Sequence, residues 1–276
     1  STITLFQNWM GKTIGVLSLK GGVGKTSSVV ALGDAMADFG KKVLLIDGNF
    51  SAPNLGLHLN LIDPEVTMNH VLARKTQIKD SIHKLGKFDI IPTAIFNNLK
   101  LNPLEIKDKI KPLKKRYDVT LIDSSPSLSE ETLAVMLASD GIIVVTTPDI
   151  PSISAILKIT VIAKKRDVPV LGMIINKANN KHFDLSLDEI EKTIGVPVLA
   201  VIPYDINFQK SLSEFKPSTE YRKKSKASVE YRKLAGILVG EKYKDSNWIG
   251  DLKNFFKISP KRQEINREIY YHRVFG

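Results

Sequence analysis

Residues Lys20 to Thr26 read Lys-Gly-Gly-Val-Gly-Lys-Thr and follow directly on an apolar run, Lys12 to Leu19. A run of that length reads as a buried β-strand, so the glycines fall in the turn between a strand and whatever follows it. Gly21, Gly22 and Gly24 open backbone conformations closed to other residues, and the amides of the turn, Val23 included, can then converge on phosphate oxygens. A helix starting near Lys25 points its positive end at the same anion. In that frame Lys25 reaches the β and γ phosphates, the Thr26 hydroxyl enters the Mg²⁺ shell, and Ser27 continues the phosphate-facing head of the helix. The chain is expected to bind a nucleoside triphosphate.

The spacing departs from the usual G-x-x-x-x-G-K-[ST] loop, since Leu19 stands where the first glycine belongs and Lys20 follows it. A lysine at the mouth of the loop cannot easily reach the phosphates of its own loop, but it can cross an interface to the nucleotide of a second subunit, as an arginine finger does. Two strand ends complete the constellation. Asp123 ends the apolar run Val119 to Ile122 and opens Asp-Ser-Ser-Pro, which suits a carboxylate holding Mg²⁺ opposite Thr26. Asp47 closes Val43 to Ile46 and opens Asp-Gly-Asn-Phe-Ser-Ala-Pro-Asn-Leu-Gly.

These segments together resemble the deviant Walker A, Walker B and switch I motifs of the MinD/ParA ATPases, with Lys20 as the signature lysine. The resemblance runs from about Lys12 to Gly240. It implies a three-layer P-loop NTPase fold, α/β, with ATP and Mg²⁺ as ligands, Asp47, Asp123 and Thr26 around the metal, and an ATP-dependent homodimer. Asn176 and Lys177 follow Val170 to Ile175 where the family reads adenine, and Pro203 and Asp205 stand in its base-flanking loop, with Tyr204 as a departure. The family usually has a second switch I aspartate that positions the attacking water; here that place is Asn49. An amide can orient a water but cannot take its proton, so slow, partner-stimulated hydrolysis is expected. Asn54 matches the family's switch I asparagine and equally suits a turn.

Apolar runs of strand length alternate with helical patterns through the chain, which predicts a mostly parallel sheet covered by helices on both faces. Strands are expected at Thr13 to Leu19, Val43 to Ile46, Asp89 to Ile91, Val119 to Ile122, Ile142 to Thr146, Val170 to Ile175 and Val198 to Ile202. Helices are expected at Lys25 to Asp38, Thr67 to Leu72, Glu130 to Ala138, Ser152 to Lys165 and Leu187 to Ile194. The division read from this is an extension at 1–11, an ATPase domain at 12–240 and a basic amphipathic tail at 241–276. With 276 residues, 43% of them hydrophobic, the chain can bury one sizeable α/β core. The absence of cysteine removes disulfides, thiolate zinc sites and iron-sulfur clusters. Five scattered histidines, His58, His70, His83, His182 and His272, show no metal-ligand spacing and read as structural.

Net charge is +11, and the stretch from Lys216 to Gly276 holds 15 Lys plus Arg against 7 Asp plus Glu. A basic end favours a polyanionic surface, either anionic lipid or nucleic acid. Trp248, Ile249, Leu252, Phe255 and Phe256 share one arc of a helical wheel, a pattern suited to a helix lying in a membrane interface and similar to the targeting helix of MinD. Three readings result. The first is a MinD-like switch that dimerises on ATP, attaches reversibly to a membrane and serves division-site placement or the positioning of a cellular machine. The second is a ParA-like partition ATPase binding duplex DNA without sequence preference through Arg222, Lys223, Lys224, Lys226, Arg232 and Lys233. The third is an ATP-dependent metabolic ligase. The first two imply an activating protein partner and a cytoplasmic protein, peripheral on the inner face of the cell membrane or associated with the nucleoid.

Overall fold

A computed structural model describes residues 11–96, 98–179, 186–243 and 261–276. Eight strands form one sheet: β1 (Lys12–Leu17), β2 (Val43–Asp47), β3 (His83–Leu85), β4 (Phe88–Ile91), β5 (Val119–Asp123), β6 (Gly141–Thr146), β7 (Val170–Ala178) and β8 (Val198–Pro203). Their order across the sheet is β3-β4-β2-β5-β1-β6-β7-β8, parallel except for the antiparallel β3–β4 pair. The sheet is the α/β arrangement expected, with apolar side chains in a separate core on each face. Ile14, Val16, Leu45 and Leu121 pack on one side with helices Lys25–Asp38 and Lys226–Leu238. Leu17, Leu44, Ile46 and Ile122 pack on the other with helices Glu130–Ala138 and Ile150–Lys165. Strands buried on both faces explain why these runs are continuously apolar rather than alternating.

All seven strands read from sequence are present. β1 stops at Leu17, two residues before the expected end, because Ser18 and Leu19 already belong to the glycine turn. β7 runs on to Ala178 and so includes Asn176 and Lys177, which were expected beyond the strand end. β3 was not anticipated: three residues of His-Lys-Leu, all half-buried or exposed, carry no apolar run to read. The five expected helices are also found, to within two residues at their starts. Helices Ile206–Ser213 and Lys226–Leu238 add to them, each capped at its start by a side chain, Asp205 on Asn207 N–H and Ser225 on Ser228 N–H.

The carboxyl end of the chain is a helix packed on the domain. Helix Arg262–Phe275 buries Gln263, Asn266, Arg267 and Tyr270 against β8 and helix Lys226–Leu238. β8 is the sheet edge, and two of its carbonyls are met from this helix: Asn266 donates to Val198 O at 2.8 Å and Arg267 to Leu199 O at 3.3 Å. Arg267 also pairs with Glu230 at 2.8 Å and Arg262 with Glu191 at 2.7 Å. A helix so placed blunts an edge that would otherwise template pairing with another chain. The aromatic stripe Trp248, Ile249, Leu252, Phe255 and Phe256 lies outside the described residues.

Candidate functional site

The parallel strands direct their carboxyl ends to one edge of the sheet, where β1, β2, β5, β7 and β8 deliver their loops to a common cavity of about 500 Å³. Its lining includes Lys20, Gly21, Gly22, Val23, Gly24, Lys25, Thr26, Ser27, Asn49, Asn176, Lys177, Pro203 and Asp205, so residues from four separated segments meet there, while Asp47 and Asp123 are not part of the lining. The glycine turn is built on left-handed backbone, φ +76° at Gly22 and +87° at Gly24, which side-chain-bearing residues rarely adopt. A β-carbon on Gly21 or Gly22 would meet nothing within 4 Å, so the turn faces open space. β7 holds the turn in place: Asn176 donates to Val23 O at 2.8 Å and Lys177 to Gly22 O at 2.6 Å.

Lys25 is buried and turned onto the strand end beneath the loop, where its ammonium donates to Asp123 and to the Ser124 carbonyl. Thr26 Oγ1 donates to the other oxygen of Asp123 at 2.6 Å. Asp47 lies beside them, fully buried, and accepts from the backbone amides of Asn49, Asn54 and Leu55 at 3.0, 3.1 and 3.0 Å. Burial pushes the Asp47 carboxyl up to about 7 and the neighbouring Asp123 adds to the rise, against the pull of those amides and Lys25. No cluster of three or more His, Cys, Asp or Glu suited to a metal occurs among the described residues. Thr26 lines the cavity and Asp123 lies buried directly behind it, a hydroxyl and a carboxylate that fit a hard cation keeping water and taking the rest of its shell from phosphate oxygens, as Mg²⁺ does, whereas the buried Asp47 does not line the cavity.

Asn49 is buried at the cavity wall with both ends of its carboxamide committed to one backbone unit. Nδ2 donates to Ala52 O at 2.5 Å and Oδ1 accepts from Ala52 N at 3.2 Å. In this conformation the amide stabilises its own loop, and a water-orienting role requires it to turn. Lys20 is half-exposed at the mouth and pairs with Asp149 of its own chain at 3.1 Å. Asp149 caps helix Ile150–Lys165, and although partial burial works the other way, hydrogen bonds from Thr147, Ser152 and Lys20 hold its carboxyl well below the usual range.

Several lining residues were not anticipated: Phe208 and Leu212 form an i, i+4 row on helix Ile206–Ser213, and His58 comes from the short helix Leu55–His58. The row is legible once a helix is allowed to start at Asp205. His58 had no such signal, because its place depends on how the switch I segment folds back over the turn. Of the cations proposed for a DNA face, Arg222, Lys223, Lys224 and Lys226 are exposed, whereas Lys233 is half-buried near Glu264. Arg232 is a correction: it is buried, ion-paired to Asp38 and bonded to Thr219 O at 2.9 Å, so it braces the interior and offers nothing to a polyanion.

A family model described as an AAA domain, AAA_31, matches residues 11–168, more than half of the chain. The cell division ATPase MinD of Pyrococcus furiosus superposes with a TM-score of 0.78 at 33% identity, covering 82% of this chain and 97% of that one. The chain belongs to the MinD/ParA family of P-loop ATPases. MinD of Pyrococcus horikoshii, solved as a complex with Mg-ADP, matches with a TM-score of 0.77 at 32% identity over 82% of this chain and 94% of that one. An ATP-binding protein of Methanocaldococcus jannaschii is 34% identical over 239 residues, 85% of this chain and 90% of that protein. The septum site-determining protein MinD of Bacillus subtilis is 26% identical over 267 residues, 90% of this chain and 99% of that protein. No helix among the described residues is long and apolar enough to cross a membrane.

Proposed function

We propose that this MinD/ParA protein is a nucleotide-operated switch that binds Mg-ATP in the 500 Å³ cavity, dimerises through the cavity's mouth and attaches reversibly to an anionic membrane surface. The observation that carries this reading is the arrangement of Lys25, Thr26 and Asp123 beneath an open glycine turn, with a second lysine, Lys20, standing half-exposed at the rim. Lys25 lies on Asp123; phosphate oxygens of a nucleotide would draw its ammonium, and Asp123 and Thr26 would then hold the metal. Lys20 exchanges its own-chain partner Asp149 for the nucleotide of the second subunit.

The rim supports a face that becomes covered. Leu128, Ile150, Tyr204, Ile206, Leu212 and Phe215 are exposed apolar side chains on the loops and helices around the mouth. Two subunits meeting there would bury this rim and bring two aromatic stripes, Trp248 to Phe256, to one surface together. Two weak attachments joined in one dimer bind far more tightly than one. Hydrolysis returns both to solution, slowly, with Asn49 in place of a general base. The deciding experiment is size-exclusion chromatography with ADP and with a non-hydrolysable ATP analogue. The analogue is expected to shift the wild type to a dimer and to leave Lys20→Ala monomeric; a monomeric wild type at saturating analogue refutes the switch.

A DNA surface is the second reading, favoured by the exposed run Arg222, Lys223, Lys224 and Lys226. Such binding falls steeply with salt. Liposome sedimentation beside a salt-titrated duplex shift, both with and without the analogue, separates the two surfaces.

A further inference from the structure

A histidine changes both charge and hydrogen-bonding sense when it takes a proton, and His58 is held so that one ring nitrogen alone is left to make that change. It closes helix Leu55–His58 and stands half-buried in the cavity wall. Nδ1 lies 2.9 Å from the carbonyl oxygen of Asn54. A carbonyl only accepts, so Nδ1 carries hydrogen in either charge state. Nε2 is then the titrating nitrogen, and it lies 3.5 Å from Ser27 Oγ. Ser27 immediately follows Thr26 at the head of the helix that the glycine turn feeds, so Nε2 points at the place where a phosphate chain would lie. Neutral, this nitrogen accepts from the Ser27 hydroxyl; protonated, it becomes a cationic donor inside the anion cradle.

The charged groups on the two elements packed against the His58 helix, and three across the cavity, have partners. Helix Lys25–Asp38 packs against the His58 helix, and on it Lys25 is held by Asp123, Asp34 by Lys87 and Thr219, and Asp38 by Lys87 and Arg232. β2 contributes Asp47, which is taken up by three backbone amides. Across the cavity, Lys20 pairs with Asp149, Lys177 bonds Gly22 O, and Asp205 accepts from Asn207. Among the described residues no carboxylate hydrogen-bonds His58, and a polyphosphate would bring an anion to its ring.

We propose that His58 is a proton-linked phosphate contact: binding of the nucleotide draws a proton onto Nε2, and the imidazolium then donates to the phosphate chain. The inference rests on the nucleotide reading above and adds to it a pH dependence that the glycine loop and Lys25 do not supply. The test is calorimetric titration of the full chain with ADP at pH 7 in two buffers of different ionisation enthalpy, for the wild type and His58→Gln. The wild type is expected to take up more protons on binding than the variant does. Raising the pH from 6 to 8 should weaken ADP binding by the wild type several-fold more than binding by the variant, since titration of the phosphates is common to both. In parallel, the imidazole nitrogen resonances of the wild type should report protonation of Nε2 when ADP is added at pH 7. Equal proton uptake and parallel pH profiles in the two proteins, or a His58 Nε2 that stays unprotonated in the complex, overturns the assignment to His58 alone. No ADP binding by either protein overturns the nucleotide reading and this inference with it.

Discussion

Asp47 combines complete burial with a carboxylate neighbour, and that pairing sets a pH dependence with a definite sign. Its folded-state pKa, raised to about 7, stands above the roughly 3.9 of an unfolded aspartate. The folded state therefore holds a proton that the unfolded state releases first, and the stability this contributes is complete below about pH 4 and lost as pH climbs toward 7. Thermal melts of the ligand-free protein from pH 4 to 7.5 should show this decline, and Asp47→Asn should flatten it even if the variant melts lower for want of an acceptor for Asn49 N–H. Parallel profiles for the two proteins would contradict it. At Asn49 the chemistry is one atom different: Asn49→Asp restores a proton acceptor at the switch I position, and single-turnover ATP hydrolysis is expected to rise by roughly tenfold to a hundredfold. An unchanged rate would mean that another group handles the water.

At the scale of elements, the glycine turn depends on a strand that is distant in sequence. β7 clamps it through Asn176 and Lys177, and a β-carbon on Gly24 would lie 2.3 Å from Asn176 Nδ2. Gly24→Ala thus meets two penalties, a left-handed backbone worth about 1–2 kcal/mol and displacement of the Asn176 side chain from Val23 O. Denaturant unfolding should show a loss of about that size, and ADP affinity should fall with it; a variant of wild-type stability and affinity would show that the clamp does not set the turn. The edge of β8 depends in the same way on helix Arg262–Phe275, whose Asn266 and Arg267 donate to the carbonyls of Val198 and Leu199.

For the whole molecule, that last helix governs how attachment to a surface can be tested. Removing residues 241–276 to delete the aromatic stripe would also strip the β8 edge of Asn266 and Arg267, and the truncated protein is expected to aggregate. Replacing Trp248, Phe255 and Phe256 with serine leaves the anchoring helix in the chain. Such a variant should retain the analogue-induced dimer and lose liposome sedimentation; sedimentation equal to wild type would remove the stripe from the mechanism. The outcome separates the dimer switch, built on the cavity, from the surface it serves.

The sheet and its nucleotide edge were readable because their signals are local. Strands buried on both faces must be apolar throughout, a turn that cradles phosphate needs glycine at fixed intervals, and a carboxylate presented to a metal sits where a strand stops. Each of those requirements acts on neighbours in the chain, so Lys12 to Thr26, Asp47 and Asp123 declare it without a fold. Residues whose role depends on what lies across space do not. Arg232 looked like part of a basic run until Asp38 and Thr219 were seen to surround it, and His58 looked incidental until switch I folded over Ser27. The final helix read as part of a tail because the carbonyls that it satisfies belong to a strand more than sixty residues earlier. Chain order by itself determined which chemistry is present at the strand ends; tertiary packing decided which charges remain free to use, because burial and pairing are properties of contacts between segments that the sequence keeps apart.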